Sequence, residues 1–265
     1  MITFNIQEKQ FKQLKKFISG WDTTNEQLYL HTDSRNNLYL VLFDVNHIYI
    51  NYLKLGVTDE FTDKHLGFCD NNRTYEINST YTKGGADDPK QLKKFISKQK
   101  NLNIKADYTQ LEWFNDDGEY FISYKAPCDL NLDLIFLANR TEKEFHLQKQ
   151  DLKVLELYKG YPSCIYFKKG RIEFKIYNDE YKVFAKHIIC DNYNNELEEH
   201  IHISNSILYQ VLRKFNSKET ITLKFEDREP LTIESEDFTG IIAPRIIFDE
   251  AYGSVDGIFD ELGDD

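Results

Sequence analysis

The sequence predicts an α+β protein of two similar domains, each with two helices packed on antiparallel sheets. Strand-like stretches that alternate apolar and polar residues fill most of the 265 residues, and helical patterns interrupt them near residues 8, 90, 149 and 204. The octapeptide KQLKKFIS occurs at residues 12–19 and again at residues 90–97. Hydrophobic residues (41%), including 17 Tyr and 19 Phe, are enough for packed cores.

The two octapeptides predict amphipathic helices over residues 8–19 and 90–100. At 100° per residue, Phe11, Leu14 and Phe17 lie on one side of the first helix and its lysines lie opposite. The second copy divides in the same way. The lysine faces comprise Lys9, Lys12, Lys15, Lys16, Lys90, Lys93, Lys94 and Lys98. Two further helices are expected over 149–159, with Lys149 and Lys153, and over 204–218, with Arg213 and Lys214.

Between the helices, period-two alternation predicts short strands joined by turns such as the one at 115–118. In the first half they cover 2–6, 27–31, 38–44, 47–55, 102–105, 109–114 and 120–124, with one or two more within 57–82. In the second half they cover 145–147, 165–167, 171–177, 181–190, 199–203, 220–225, 231–234 and 240–246. We expect a first domain over 1–127, a connector over 128–140, a second domain over 141–247 and an acidic tail over 248–265.

The charge of the chain is unevenly distributed. The formal net charge is -11, yet the four predicted helices carry +3, +5, +1 and +3, so the remainder carries -23. On any single helix such lysines are ordinarily just the solvated face. Repeated on three or four helices, they favour a common anionic partner, since a basic face can meet phosphates while the rest stays acidic.

Catalytic chemistry has no support in the sequence. It contains no phosphate-binding loop, dinucleotide fingerprint, zinc-protease motif or nucleophile elbow, so we expect no enzyme, no catalytic residues, no cofactor and no metal. The four cysteines are scattered, and His200 with His202 indicates a polar strand face rather than a metal site. The absence of a long apolar run or a signal-like N-terminus predicts an intracellular protein.

Several short motifs, in order along residues 1–247, resemble those of the sliding DNA clamps, specifically the two-domain kind represented by proliferating cell nuclear antigen. FDVNHIYI at 43–50 is similar to the family's M-D-x-S-H-V-x-L, and YKAP at 124–127 resembles the end of its first domain. EPLTIE at 229–234 and IAPRI at 242–246 resemble its closing P-L-x-x-E and L-A-P-[KR]-I. The long region 57–88 and the weakly basic third helix favour a divergent, viral member of the family, and the richness in Asn, Lys, Ile and Tyr fits an AT-rich genome.

The resemblance implies the DNA-clamp (processivity) fold and a ring of three chains that encircles duplex DNA without reading its sequence. The ring's partners would be a DNA polymerase and a clamp loader, in the cytoplasm of a bacterial host or in a eukaryotic nucleus or viral factory. The helix cations named above would face the DNA. A partner pocket would be formed by Phe43, His47, Ile48, Ile50, Leu130, Leu132, Leu134, Pro230, Ala243, Pro244, Arg245 and Ile246.

Two other functions remain open at this point. One is a transcription or repair accessory of the same fold that does not encircle DNA alone, and the other is an unrelated two-lobed nuclease. For the clamp, reversing Lys12, Lys15, Lys93 and Lys94 to Glu is expected to impair loading without unfolding the chain, because all four are predicted to face solvent. The acidic tail is expected to be solvated and disordered. A further hypothesis is that it acts as a tethered peptide that engages a partner or the pocket of its own ring, because Ile258, Phe259 and Leu262 have the spacing of a one-turn helical anchor.

Overall fold

The structure is a computed structural model, and it describes fourteen segments of the chain. They are residues 2–33, 37–46, 48–57, 73–78, 89–106, 110–128, 144–148, 154–168, 170–177, 183–193, 199–215, 220–226, 229–236 and 238–243. These segments form two compact units. The first unit is Met1–Ala138 with Lys214–Asn216 and Ser235–Gly240, and the second is Asn139–Arg213 with Ser217–Glu234 and Ile241–Asp265.

Four helices lie in the described segments. They are α1 (Glu8–Ser19), α2 (Pro89–Lys98), α3 (Val154–Leu157) and α4 (Asn205–Leu212). The octapeptide helices are confirmed, because the predicted apolar face of each is the buried one. The α3 helix is shorter than predicted within the described residues, since 149–153 lie outside them, and α4 ends at Leu212 rather than at residue 218.

Sixteen strands account for most of the remaining described residues. In the first half they are β1 (Ile2–Asn5), β2 (Glu26–Thr32), β3 (Asn37–Asp44), β4 (Tyr49–Val57), β5 (Arg73–Asn78), β6 (Asn103–Ala106), β7 (Gln110–Phe114) and β8 (Tyr120–Cys128). In the second half they are β9 (Glu144–Gln148), β10 (Pro162–Lys168), β11 (Gly170–Tyr177), β12 (Val183–Tyr193), β13 (Glu199–Ser204), β14 (Thr220–Lys224), β15 (Leu231–Glu234) and β16 (Phe238–Ile242).

The strand order shows that the chain is a structural repeat. Neighbouring strands β1-β6-β7-β8 recur as β9-β14-β15-β16, and β5-β2-β3-β4 recur as β13-β10-β11-β12, so each strand of the first half has its counterpart eight strands later. In each half, one helix follows the first strand and a second precedes the sixth. Two copies of one plan, predicted from helix spacing, are therefore present in the topology.

Local sequence chemistry explains the hairpins. Gly118 closes the β7–β8 turn with φ +82°, a left-handed conformation that glycine adopts at little cost, and its N–H donates to the Asn115 carbonyl. Beneath this hairpin the fully buried Trp113 indole donates to Ser123 Oγ at 2.8 Å. Apolar residues thus alternate inward along these strands, and the polar indole N–H among them has a partner.

Candidate functional site

The two octapeptide helices lie side by side and exchange a reciprocal pair of hydrogen bonds. Lys15 Nζ on α1 donates to the Gln99 carbonyl just beyond α2, at 2.9 Å. Lys93 Nζ on α2 donates to the Trp21 carbonyl just beyond α1, at 2.6 Å. The two donors occupy the same octapeptide position, and the two acceptors are separated by the same interval of sequence. The helix pair is therefore locally symmetric, with each helix capping the other.

This reciprocal capping gives Lys15 and Lys93 a structural role. Carbonyl groups at a helix C-terminus lack intrahelical partners and carry the negative end of the helix dipole, so an ammonium stabilises them. Both lysines are half-buried. The prediction that they point freely into solvent is wrong, because a helical wheel places a side chain on a face without showing what the neighbouring helix presents to it.

Neutralising the caps should destabilise the fold equally at the two positions. Lys15→Met and Lys93→Met are each expected to lower the free energy of unfolding by about 1.5–3 kcal/mol, the range for hydrogen bonds to charged groups. Urea denaturation followed by circular dichroism measures this. The matched controls Lys16→Met and Lys94→Met, one residue along each helix, should change the free energy by less than about 0.5 kcal/mol. Equal losses in the controls would refute the capping role.

Two lysines of α1 pair with exposed carboxylates. Lys9 Nζ lies 2.7 Å from Glu236, and Lys12 Nζ lies 2.7 Å from Glu8 one helical turn earlier. The hydrogen bond from Lys12 holds the pKa of the Glu8 carboxyl below its usual value. Such exposed pairs contribute little to stability, so these cations can turn to another anion at small cost.

A set of lysines on the two helices remains at or near the surface in equivalent repeat positions. We call it the lysine array; it consists of Lys12 and Lys16 on α1 and Lys90 and Lys94 on α2. Lys12, Lys90 and Lys94 are exposed and Lys16 is half-buried. Lys98, at the end of α2, is also exposed. The array is the part of the predicted lysine faces that recurs on both helices, without the two capping lysines and without Lys9 and Lys98, which have no lysine at the equivalent position of the other copy.

Lys214 is not part of any basic surface. It is 3% exposed, its Nζ makes an ion pair with the buried Glu26 carboxylate, and it lies 5.6 Å from the Tyr49 ring centroid. The prediction of Lys214 as a DNA-facing residue is wrong. Its stem crosses Gly20 so closely that a Cβ there would lie 2.7 Å from the Lys214 Cγ, which explains the glycine at the end of α1.

The Glu26 carboxylate is surrounded by further donors, as a buried charge requires. The Asp22 backbone N–H donates to Oε2 at 2.7 Å, and Asn51 Nδ2 lies 3.5 Å from Oε1. Burial, followed by the charge of Glu26, raises the pKa of the Tyr49 hydroxyl far above its usual value. This network of Glu26, Lys214, Asp22, Asn51 and Tyr49, the buried latch, lies within the first unit.

The other cations predicted on the later helices are only partly described. Arg213 caps the C-terminal end of α4 and is half-buried, whereas Lys149 and Lys153 lie outside the described residues.

The turn between β3 and β4 presents an apolar surface. The buried Asp44 carboxylate accepts hydrogen bonds from the backbone N–H groups of Asn46 (3.1 Å) and Ile48 (3.2 Å), which holds the turn in shape. Val45 and Ile48 are thereby left 43% and 38% exposed. Sequence reasoning predicted Ile48 and missed Val45, although an apolar residue between Asp44 and Asn46 in a turn was a usable signal.

Other residues predicted for the partner pocket have different positions. Phe43 and Ile50 are 8% and 2% exposed, and the Phe43 ring packs edge-on against Tyr29, so they support the turn from beneath. Pro230 and Ala243 are half-buried in the second unit. The rest of the predicted pocket lies outside the described residues: His47, Leu130, Leu132, Leu134, Pro244, Arg245 and Ile246.

The described residues do not meet the requirements of a metal site or of a membrane-spanning helix. The described residues contain no group of three or more His, Cys, Asp or Glu side chains placed to hold a metal ion. Cys164 is a buried free thiol, and the His200 and His202 rings make an edge contact at 5.2 Å. Every helix of the described segments falls short of the length and apolar character of a membrane span.

The structure resembles solved bacterial β clamps. It matches the Helicobacter pylori β clamp bound to a DNA ligase peptide with a TM-score of 0.65 and 14% identity, covering 92% of this chain and 66% of that one. It matches DNA polymerase III subunit β from Borrelia burgdorferi with a TM-score of 0.65 and 17% identity, covering 93% of this chain and 65% of that one. It matches the same subunit from Pseudomonas aeruginosa with a TM-score of 0.68 and 12% identity, covering 93% of this chain and 67% of that one. The chain has the fold of the sliding DNA clamps.

This clamp fold confirms the predicted α+β class and, at the level of fold, the resemblance seen in the short motifs. The chain spans about two thirds of the length of the β clamps that it matches. No family model and no curated protein matches the sequence. At identities of 12–17% the likeness concerns the fold, and function has to be argued from the lysine array and the surfaces around it.

Proposed function

We propose that this protein is a sliding clamp, a processivity factor that encircles duplex DNA as a ring of three chains and tethers a DNA polymerase. The observation that carries the proposal is the lysine array, displayed at matching repeat positions on adjacent helices of a clamp-fold chain with net charge -11. Duplex DNA carries one negative charge per about 1.7 Å of axis, so diffuse positive charge suffices to centre it. Lysine suits this role because its flexible stem carries a hydrated charge without fixed geometry.

Ring closure is supported by apolar residues on strands. β12 is the outermost strand of its four-stranded sheet, and Val183 and Ile188 on it are 37% and 54% exposed. Tyr120, which begins β8, is 63% exposed. An edge strand with unpaired backbone groups and exposed apolar side chains is a template for pairing with another chain. We propose that β12 of one chain contacts the next chain near Tyr120, at the start of β8, and that three chains close the ring.

The ring is tested by mass and by an edge-strand variant. Light scattering after size exclusion should give three times the 31.4 kDa mass of one chain. Ile188→Lys, which places a charge at the proposed contact, should shift the mass to that of one chain at micromolar concentration. The control Leu157→Lys changes another exposed apolar residue, 76% exposed on α3, and should leave the trimer intact. A wild-type protein that stays monomeric would favour an accessory platform that does not encircle DNA alone.

The apolar turn formed by Val45 and Ile48 is the proposed docking surface for partners. The H. pylori β clamp, which has the same fold, was solved with a DNA ligase peptide bound. Peptides bind such surfaces by burying a few aromatic or aliphatic anchors. A polymerase and a clamp loader are the partners we propose, since a closed ring has to be opened to take up circular DNA. The protein then acts as a tether rather than an enzyme.

A further inference from the structure

A second basic surface lies in the second unit, on strands rather than on the lysine-bearing helices. We call it the basic sheet face; it consists of Lys168 on β10, Arg171 and Lys175 on β11, and Lys186 on β12. In β11 these residues alternate with Ile172, Phe174 and Ile176, which are fully buried. Because side chains alternate across a strand, the cations project from the face opposite the core.

The strand register brings these cations together. Lys168 is paired with Arg171, and Lys175 is paired with Lys186. Between the two pairs lies Glu173, which is 0% exposed. Its carboxylate makes ion pairs with Arg171 and, at 3.3 Å, with Lys186. The four cations thus lie around the Glu173 carboxylate, because Arg171 and Lys175 are each two residues from Glu173 along β11 and are paired with Lys168 and Lys186.

An aromatic ring lies close to the ammonium groups of Lys168 and Lys175. Lys175 Nζ lies 4.2 Å and Lys168 Nζ 5.9 Å from the centroid of the Tyr166 ring, which is also stacked with His200 at 5.4 Å. With an imidazole and two ammonium groups already around it, Tyr166 does not offer an open platform for stacking a base. The surface therefore selects for negative charge rather than for aromatic ligands.

The named side chains of the basic sheet face have an excess of positive charge. The four cations stand against the Glu173 carboxylate, so these five side chains together carry a formal charge of +3. Burial, followed by the charge of Lys168, lowers the pKa of the Lys175 ammonium. Like charges held this close repel one another. An anion placed among them would relieve that repulsion.

The charge of the rest of the chain favours a short anion. Outside the four predicted helices the sequence carries a formal charge of -23, of which residues 249–265 contribute -7, so the rest carries -16. A long nucleic acid would extend beyond this patch along a chain that is acidic on balance, whereas a peptide with a few carboxylates can meet the cations alone. Residues 249–265 contain seven acidic residues and no basic one, together with Ile258, Phe259 and Leu262.

We propose that the basic sheet face binds an acidic peptide, and that its occupant is the chain's own C-terminal segment, residues 249–265. The segment lies outside the described residues, and it follows β16 in the same chain after six intervening positions. Such covalent attachment gives an effective concentration of about millimolar, so a weak site is occupied. Carboxylates of the segment would bind among these cations and accept charge-assisted hydrogen bonds from the lysine and arginine side chains.

Binding is tested with a fluorescein-labelled peptide of residues 249–265 by fluorescence anisotropy. The receptor is the full chain with its seven tail carboxylates changed to amides (Asp→Asn, Glu→Gln), which keeps the site unoccupied. The peptide should bind this receptor, and at least about fivefold more weakly to the wild-type chain, whose own segment competes. Lys175→Met with Lys186→Met in the receptor should weaken binding at least about tenfold. Raising the salt concentration should weaken it further.

The control receptor carries Lys54→Met and Lys105→Met, which remove the same charge from β4 and β6 in the first unit and should change the affinity less than about twofold. No binding at about 1 mM peptide, the effective concentration of the tethered segment, or equal binding by the wild-type and tail-amide chains, would overturn the proposal. A single-stranded octanucleotide, whose charge is close to that of the peptide, is the second probe. If it binds more tightly than the peptide and depends on Lys175 and Lys186, the site belongs to nucleic acid and the peptide proposal fails.

Discussion

Lys214→Met is expected to lower the free energy of unfolding by about 3–5 kcal/mol, more than any of the other substitutions proposed for this protein. The substitution removes the cation from the buried latch and leaves the Glu26 carboxylate, itself fully buried, without its counter-charge. Methionine matches the flexibility and most of the length of the lysine stem that crosses Gly20. The decrease therefore reports the missing charge rather than a cavity. Urea denaturation followed by tryptophan fluorescence measures it.

Two further variants isolate the latch. Glu26→Gln combined with Lys214→Met removes both charges and should recover most of the lost free energy of unfolding. Replacing both members of a buried ion pair with uncharged groups costs little stability, whereas leaving one buried charge without its partner costs much. Lys224→Met is the matched control, because Lys224 pairs with Glu234 at 2.7 Å where both side chains are 23–29% exposed, and it should cost less than about 1 kcal/mol. A double variant as unstable as Lys214→Met would show that packing, not charge, governs this site.

Neutralising the lysine array is expected to remove most of the affinity for DNA. In the variant with Lys12, Lys16, Lys90 and Lys94 all changed to Gln, binding of a fluorescent duplex of about 30 base pairs at about 50 mM salt should fall at least about tenfold. The slope of log affinity against log salt should flatten by about 0.9 for each phosphate that the variant no longer neutralises. The reason is that this binding is driven by counterion release and needs no fixed geometry. The free energy of unfolding should stay within about 1 kcal/mol, because none of these lysines is fully buried.

The capping lysines provide the crossed control. Lys15→Met with Lys93→Met should lower the free energy of unfolding and keep most of the slope of log affinity against log salt. The array variant should do the reverse: it should keep the stability and flatten the slope. If the two variants bind DNA equally weakly, the division of the basic helices into caps and DNA-facing lysines is wrong. If the array variant binds DNA like the wild type, the proposal that these helices face DNA fails, whatever the oligomeric state.

The extent of the sequence-based prediction differs between elements. Both octapeptide helices and most strands were predicted to within a few residues, and the hairpin glycine at 118 was in the predicted turn. The strand β5 (Arg73–Asn78) lies within 57–82, where one or two strands were expected but no bounds were predicted. The partner turn was recognised by its motif, but its exposed residues were predicted only in part, since Phe43 and Ile50 are core residues and Val45 is exposed.

The sequence by itself determined the helices, the strands and their twofold repetition, because each depends on periodicity and turn residues within about 15 neighbouring positions. Only the tertiary structure decided what each lysine does. Lys15, Lys93 and Lys214 have partners 84, 72 and 188 residues away in the chain, at a carbonyl, a carbonyl and a buried carboxylate. The lysines of one octapeptide are alike in local pattern, and they differ only in whether folding brings an acceptor within reach.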